Sequence, residues 1–315
     1  MLRALVAGGS GYLGSAIVRA LVRRGHQPIA FSRHPLTSPA HLPALRGDLR
    51  SRTDVADAVQ HCDAVCHTGA LVSQWRRRSR DFDEVNVEGT QHVIEACRAR
   101  AVPRVVYTAS FLALPPEGRT TTLVANDYQR TKVAAFGVVR DAIRTGMPIV
   151  VLIPAVVYGP GPATEGNLVS RLLRDHLVGR LPGIVGADHQ WSFAWIDDVA
   201  EAHVSAVEGA TIGAEYAIGG ENAPQMRMFE VARSVTGRPL PRRLPLALVR
   251  AAAAVEELRA RIGGPPPFVT RGAVEILSYD WPLDSRRAVN DLGYAPRPLE
   301  SGLRAVIESL DAHAP

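Results

Sequence analysis

The chain has 315 residues, enough for one large α/β domain or for a nucleotide-binding domain with a smaller companion. With 46% hydrophobic and 21% charged residues and a mean hydropathy of +0.01, a disordered chain is excluded. The net charge of +5 invites a polyanion, but only "WRRRSR" (75–80) forms a basic run and aromatics are 6%, so no nucleic-acid partner is expected.

Along the first 155 residues, short β-branched runs alternate with longer helical patterns. "RALVA" (3–7), "QPIAF" (27–31), "DAVCH" (63–67), "RVVYTAS" (104–110) and "PIVVLIP" (148–154) read as strands. Residues 11–24, 82–100 and 126–145 carry apolar side chains at helical spacing. Such alternation predicts the α/β class, a Rossmann-type doubly wound parallel sheet, with a smaller, mainly helical substrate-binding cap toward the C-terminus. The expected division is a dinucleotide-binding domain over 1–162, rejoined by 190–220, and a discontinuous cap over 163–189 and 221–315.

The opening "MLRALVAGGSGYLG" reaches a glycine-rich turn before a signal-type apolar stretch accumulates. No run has the length of a membrane span; "LPLALVRAAAAVEELRARI" (244–262) is broken by Arg250, Glu256 and Glu257 and reads as an amphipathic helix. Three cysteines, Cys62, Cys66 and Cys97, make no disulfide framework, so the expected location is the reducing cytoplasm. "HCDAVCH" (61–67) falls on a buried strand, which cannot aim adjacent residues at one ion, so no metal is expected.

Gly8, Gly11 and Gly14 form a GxxGxxG array after a strand and at the start of a helix. A dinucleotide needs a tight turn, a close backbone and the free N–H groups of a helix N-terminus, which assigns Gly8, Ser10, Gly11, Tyr12, Leu13 and Gly14 to cofactor binding. An NAD site places a carboxylate near the end of the second strand for the ribose 2′-hydroxyl. Here that place reads "AFSRH" (30–34), and no acidic residue precedes Asp48. Arg33 stands where a cation would pair with a 2′-phosphate, so the expected cofactor is NADP(H) rather than NAD(H).

Tyr128 and Lys132 are one helical turn apart in "ANDYQRTKVAA", and Lys132 is the single lysine of a chain with 36 Lys+Arg. A nearby ammonium is expected to lower the phenol pKa and suit it to proton exchange with a carbonyl or alcohol oxygen. Ser110, at the carboxyl end of a strand, is the expected hydroxyl that orients that oxygen, chosen over Thr108 within the strand.

The motifs "GGSGYLG", "GDL" (47–49), "CDAVCHTGA", "NVEGTQHVIEAC" (86–97), "DYQRTK", "YGPG" (158–161), "WIDDVAEAH" (195–203) and "DLGYAPR" (291–297) run nearly end to end. The sequence resembles the extended short-chain dehydrogenase/reductase superfamily (the NAD-dependent epimerase/dehydratase family), in its dihydroflavonol-reductase-like and hopanoid-associated epimerase-like branch. The resemblance implies that Asp48 and Leu49 lie at the adenine, Thr68, Gly69 and Ala70 along the ribose and phosphates, and Pro154 and Val157 near the nicotinamide. It implies that Asn86 braces the active-site helix, that Ser110, Tyr128 and Lys132 are catalytic, with Tyr128 and Lys132 also touching the cofactor, and that helices 82–100 and 126–145 form a homodimer. In "LIPAVVYGPG", Ile153 and Val156 stand where nucleotide-sugar enzymes of the superfamily carry arginine and asparagine. The expected function is therefore an NADPH-dependent reductase, or reverse dehydrogenase, of a small-molecule ketone or secondary alcohol of moderate polarity. The rivals are a nucleotide-sugar epimerase or dehydratase that recycles its cofactor, and an NADP-binding sensor without chemistry.

Overall fold

The protein is described by a computed structural model over residues 1–34, 43–162 and 164–311. The glycine loop joins β1 (Arg3–Ala7) to α1 (Tyr12–Arg23); β2 (Gln27–Ser32), β3 (Ala44–Arg46), α2 (Arg52–Ala58) and β4 (Ala64–His67) follow. One continuous helical stretch runs from α3 (Arg80–Phe82) through a π-helical segment (Asp83–Glu88) into α4 (Gly89–Ala99). Then come β5 (Val105–Thr108), a 3₁₀ turn (Phe111–Ala113), α5 (Asp127–Arg144), β6 (Ile149–Pro154) and β7 (Val156–Tyr158). The remainder comprises α6 (Leu168–Leu177), β8 (Gln190–Trp195), α7 (Ile196–Gly209), β9 (Glu215–Ile218), β10 (Glu221–Pro224) and α8 (Arg227–Thr236). It closes with α9 (Leu246–Arg261), α10 (Arg271–Leu277), α11 (Arg286–Leu292) and α12 (Leu299–Asp311).

Seven parallel strands form the main sheet in the order β3-β2-β1-β4-β5-β6-β9. The order reverses between β1 and β4, and at such a switch point the loops diverge and leave a crevice at the strand carboxyl ends. β4, β5 and β6 are buried along their whole length, because helices cover both faces. One apolar layer packs α1 and α7 on the sheet, and the other packs α2, α4 and α5.

The predicted strands over 3–7, 27–31, 63–67 and 148–154 lie within one or two residues of β1, β2, β4 and β6. Periodicity over "RVVYTAS" runs too far: pairing ends at Thr108, and Ser110 caps the 3₁₀ turn through an oxygen that accepts from the Leu112 amide at 3.3 Å. Of the segments expected to rejoin the sheet, β9 does so beside β6. β8 instead pairs with β7 and β10 in a separate three-stranded sheet, whose core includes Tyr158, Phe193 and Trp195.

α9 is the helix expected over 244–262, yet of its 16 residues only Ala253 and Ala260 are buried. Leu248, Val255 and Leu258 stand more than 60% exposed. Among the described residues, no helix is long and apolar enough to cross a membrane.

Candidate active site

The crevice at the switch point opens into a cavity of about 1260 Å³ that continues under α6, α9 and α10. Gly8, Ser10, Gly11, Tyr12, Leu13, Gly14, Arg33, Asp48, Leu49, Thr68, Gly69, Ala70, Pro154 and Val157 all line it, together with Ser110, Tyr128 and Lys132. Asn86 does not. It lies 2% exposed behind the wall, where its Oδ1 accepts from the Leu71 amide at 2.7 Å and its Nδ2 donates to Thr131 Oγ1 at 3.0 Å. Both ends of its amide are spent on tying Leu71 directly to Thr131 of α5.

The glycine loop is compact for a steric reason. Gly8 has φ +91°, and a Cβ there would stand 2.6 Å from Gly69 Cα; a Cβ on Gly14 would stand 2.1 Å from Gly8 O. Gly11 caps α1 in an extended conformation without a side-chain hydrogen bond, so the first amides of the helix face the cavity uncapped. That set of free N–H groups in a tight, Cβ-free turn fits a pyrophosphate. Tyr12 fastens the loop to the far wall, its hydroxyl donating to Gly159 O at 3.0 Å.

At the other end of the expected cofactor groove, the Asp48 carboxylate is engaged by Arg50, whose Nη2 donates at 2.6 Å. This contact, aided by the more distant Arg33, holds Asp48 below its ordinary pKa. Arg33 is exposed on the groove wall.

α5 begins where Asn126 Oδ1 accepts from the Gln129 amide at 2.8 Å. Fully buried Gln129 then donates from Nε2 to Leu112 O at 3.1 Å, while its Oε1 accepts from the Ala125 amide. One side chain thereby locks the start of the Tyr128 helix to the turn that carries Ser110. Sequence reasoning passed over Gln129, although it adjoins the tyrosine in "DYQRTK".

One turn along, Lys132 is 5% exposed; its Nζ donates to Thr108 O at 2.9 Å and sits 5.3 Å from the centre of the Tyr107 ring. Thr108 has no hydroxyl to spare. His203 Nδ1 faces Val199 O at 2.8 Å and must donate to it, so His203 Nε2 accepts from Thr108 Oγ1 at 2.8 Å. Ser110 is left as the hydroxyl near Tyr128, close enough to favour its phenolate.

The electrostatics differ from the expectation that Lys132 depresses the tyrosine. Burial pushes the Tyr128 phenol up to about 12, offset only in part by the nearby Ser110 hydroxyl. Burial also pulls the Lys132 ammonium down to about 8. The physical cause is shared: Lys132 is buried and Tyr128 half-buried in the cavity wall, and withdrawal from water favours both neutral forms. A phenol held protonated at neutral pH is an acid waiting to donate.

The cavity beyond Tyr128 is mostly apolar, lined by side chains such as Phe111, Leu172, Trp191, Phe229, Leu248 and Ile276. Val156 joins this lining, but Ile153 does not, being packed in the layer under α5. Of the two positions expected to distinguish this chain from nucleotide-sugar enzymes, only Val156 borders the site.

Residues 4–219 match the model of the NAD dependent epimerase/dehydratase family. The chain is 32% identical to the 2-alkyl-3-oxoalkanoate reductase of Stenotrophomonas maltophilia (strain K279a), over 96% of this chain and 98% of the relative. It is 30% identical to sterol demethylase protein B of Methylococcus capsulatus (strain ATCC 33009 / NCIMB 11132 / Bath), with 93% of each chain covered. Among solved structures, the crystal structure of gox2253 superimposes with a TM-score of 0.83 at 26% identity, covering 100% of this chain and 99% of the other.

Proposed function

The chain belongs to the NAD dependent epimerase/dehydratase family, within the extended short-chain dehydrogenases/reductases, and is an oxidoreductase of CH–OH and C=O groups; from that premise we propose that it reduces an apolar ketone with NADPH. The observation that carries the reading is Tyr128 set with Ser110 and Lys132 in the wall of one mostly apolar chamber, its phenol favoured in the protonated form by burial. A bound NADPH would supply the hydride for the carbonyl carbon from its nicotinamide and be oxidised to NADP⁺. Tyr128 donates its hydroxyl proton to the carbonyl oxygen, which becomes the alcohol, and the proton is then replaced from solvent. Ser110 donates a hydrogen bond to the same oxygen and fixes it against the phenol. Lys132 presents its ammonium to the cofactor ribose and stabilises the phenolate left after transfer.

Ketone rather than nucleotide-sugar chemistry is favoured by Val156 and the apolar lining, and by a 2-alkyl-3-oxoalkanoate reductase among the relatives. NADPH is favoured over NADH by Arg33 and by the engagement of Asp48 with Arg50. The test is NADPH oxidation with long-chain ketones by the purified protein. Stoichiometric consumption with alcohol formed supports the reading, and conversion of UDP-glucose without net NADPH loss refutes it.

A further inference from the structure

Four arginines among the described residues are half-buried: Arg104, Arg130, Arg171 and Arg227. Arg104 donates to Ala210 O at 2.7 Å, Arg130 pairs with Asp83 at 2.7 Å, and Arg227 pairs with Glu300 at 2.9 Å. Of the four, only the Arg171 guanidinium has neither an ion pair nor a hydrogen bond within the described residues, which is an unfavourable state for a half-buried charge.

Arg171 lies on α6, on the face that also carries Leu168 and Leu172 into the cavity, while Val169 and Leu173 pack behind it. The carboxylates of the same lining are already occupied. Asp48 is held by Arg50, Asp175 pairs with Arg174 at 3.1 Å, Glu256 pairs with Arg259 at 2.7 Å, and Glu165 accepts from Ser73 and from the Gln74 amide. The other basic side chains of the lining are Lys132, committed to Thr108, and Arg33 and His34 at the end of β2. A cation without a counter-ion is thus set into the cap-side wall of an apolar chamber.

We propose that Arg171 anchors an anionic head on the substrate, a carboxylate, so that the chamber takes oxo acids with apolar chains and Arg171 determines that specificity. This rests on the ketone-reductase reading above. The shape of the site accounts for the pairing: a guanidinium fork matches a carboxylate, and the surrounding Leu168, Leu172, Trp191 and Phe229 take the chain. A cofactor phosphate is the competing source of negative charge, since Tyr12 of the glycine loop and Asn167 and Ser170 beside Arg171 all donate to Gly159 O; the uncapped amides of α1 and Arg33 are the groups assigned to that ligand here.

Two measurements on the NADP-loaded protein test the proposal. In the first, oxo acids with the ketone at increasing distance from the carboxylate are compared with their methyl esters, which lack the charge at the cost of one added methyl group. Arg171→Gln should raise KM for the acids by about 30-fold or more with kcat little changed, and leave the esters and the Kd of NADPH unaffected, while Arg171→Lys recovers part of the loss. In the second, decanoate, which has no ketone, should bind the wild type and lose about tenfold or more in affinity in Arg171→Gln. Acids and esters used equally by both proteins overturn the proposal, as does a weakened NADPH Kd in Arg171→Gln, which would assign the guanidinium to a cofactor phosphate. Decanoate binding that depends on Arg171 with no ketone reduced sustains the anion site and refutes the reductase reading instead.

Discussion

The Lys132 ammonium donates to the carbonyl oxygen of Thr108 at 2.9 Å, bridging the active helix α5 and the end of β5. The contact explains why one lysine stands in a chain otherwise written with arginine. Nζ fits a pocket where the side chain is 5% exposed, under the Tyr107 ring at 5.3 Å. A guanidinium is longer, planar and wider, and would have to displace Tyr107 or withdraw from Thr108. Lys132→Arg is expected to lose about 100-fold or more in kcat/KM. Steady-state kinetics with NADPH check this, and full activity in Lys132→Arg would show that any cation suffices.

Tyr128 should be separable from cofactor binding. In the proposed mechanism the phenol is the proton source, whereas the glycine loop and Arg33 line the far end of the groove. Tyr128→Phe is expected to cut kcat by about 1000-fold with NADPH affinity within a few-fold of wild type. Ser110→Ala should cut it less, by roughly 10- to 100-fold, since one hydrogen bond to the carbonyl oxygen is lost but the acid remains. Fluorescence titration of NADPH alongside turnover distinguishes these outcomes from misfolding.

Much of this site was legible in the sequence because its signals are local. The turn after β1 needs glycine where φ is positive and where a Cβ would strike Gly69, and that need leaves a fixed spacing. Tyr128 and Lys132 share a face because they are one turn apart in a well-capped helix. What was not legible depends on contacts between distant segments. β7, β8 and β10 make a second sheet only because Val156 pairs with Phe193 and Phe193 with Glu221, and no periodicity in 190–195 names that partner. The direction of the Tyr128 shift is not legible for the same reason: Lys132 is visible in the sequence, but the burial that raises the phenol is a property of the assembled chamber. Nor does the sequence reveal that Arg171 lacks a partner, since arginines are plentiful and only the fold says which carboxylates are spent.

Selection of the cofactor should turn on Arg33. Its side chain is exposed on the groove wall, and Asp48, the first acidic residue after the glycine loop, is engaged by Arg50. Arg33→Ala is expected to raise KM for NADPH by about tenfold or more while changing KM for NADH little, because a lost pair with a 2′-phosphate affects only the phosphorylated cofactor. Comparing both cofactors in both proteins decides it; equal losses for NADPH and NADH would remove Arg33 from the recognition of the 2′ position.

The buried lysine also sets opposite pH dependences for stability and for activity. Its native pKa is about 8 against an ordinary value of 10.5, so between these the unfolded chain binds more protons than the native one. The Lys132 contribution to stability therefore rises as pH increases from about 8 toward 10.5, and is lost as pH falls through about 8. Activity runs the other way, because the form with a charged ammonium disappears as pH rises through about 8, and kcat/KM for ketone reduction should decline there. Cys66 and Cys97, pushed up to about 12 by burial, oppose the stability trend at alkaline pH, since their unfolded thiols ionise first. The informative quantity is hence the difference between wild type and Lys132→Met. Urea unfolding should find Lys132→Met the more stable protein at neutral pH, by about 2 kcal/mol, as the desolvated charge is removed. That advantage should shrink as pH is raised toward 10, where wild-type Lys132 is already neutral in the native state. An advantage that stays constant across the range would mean that Lys132 does not change its protonation there.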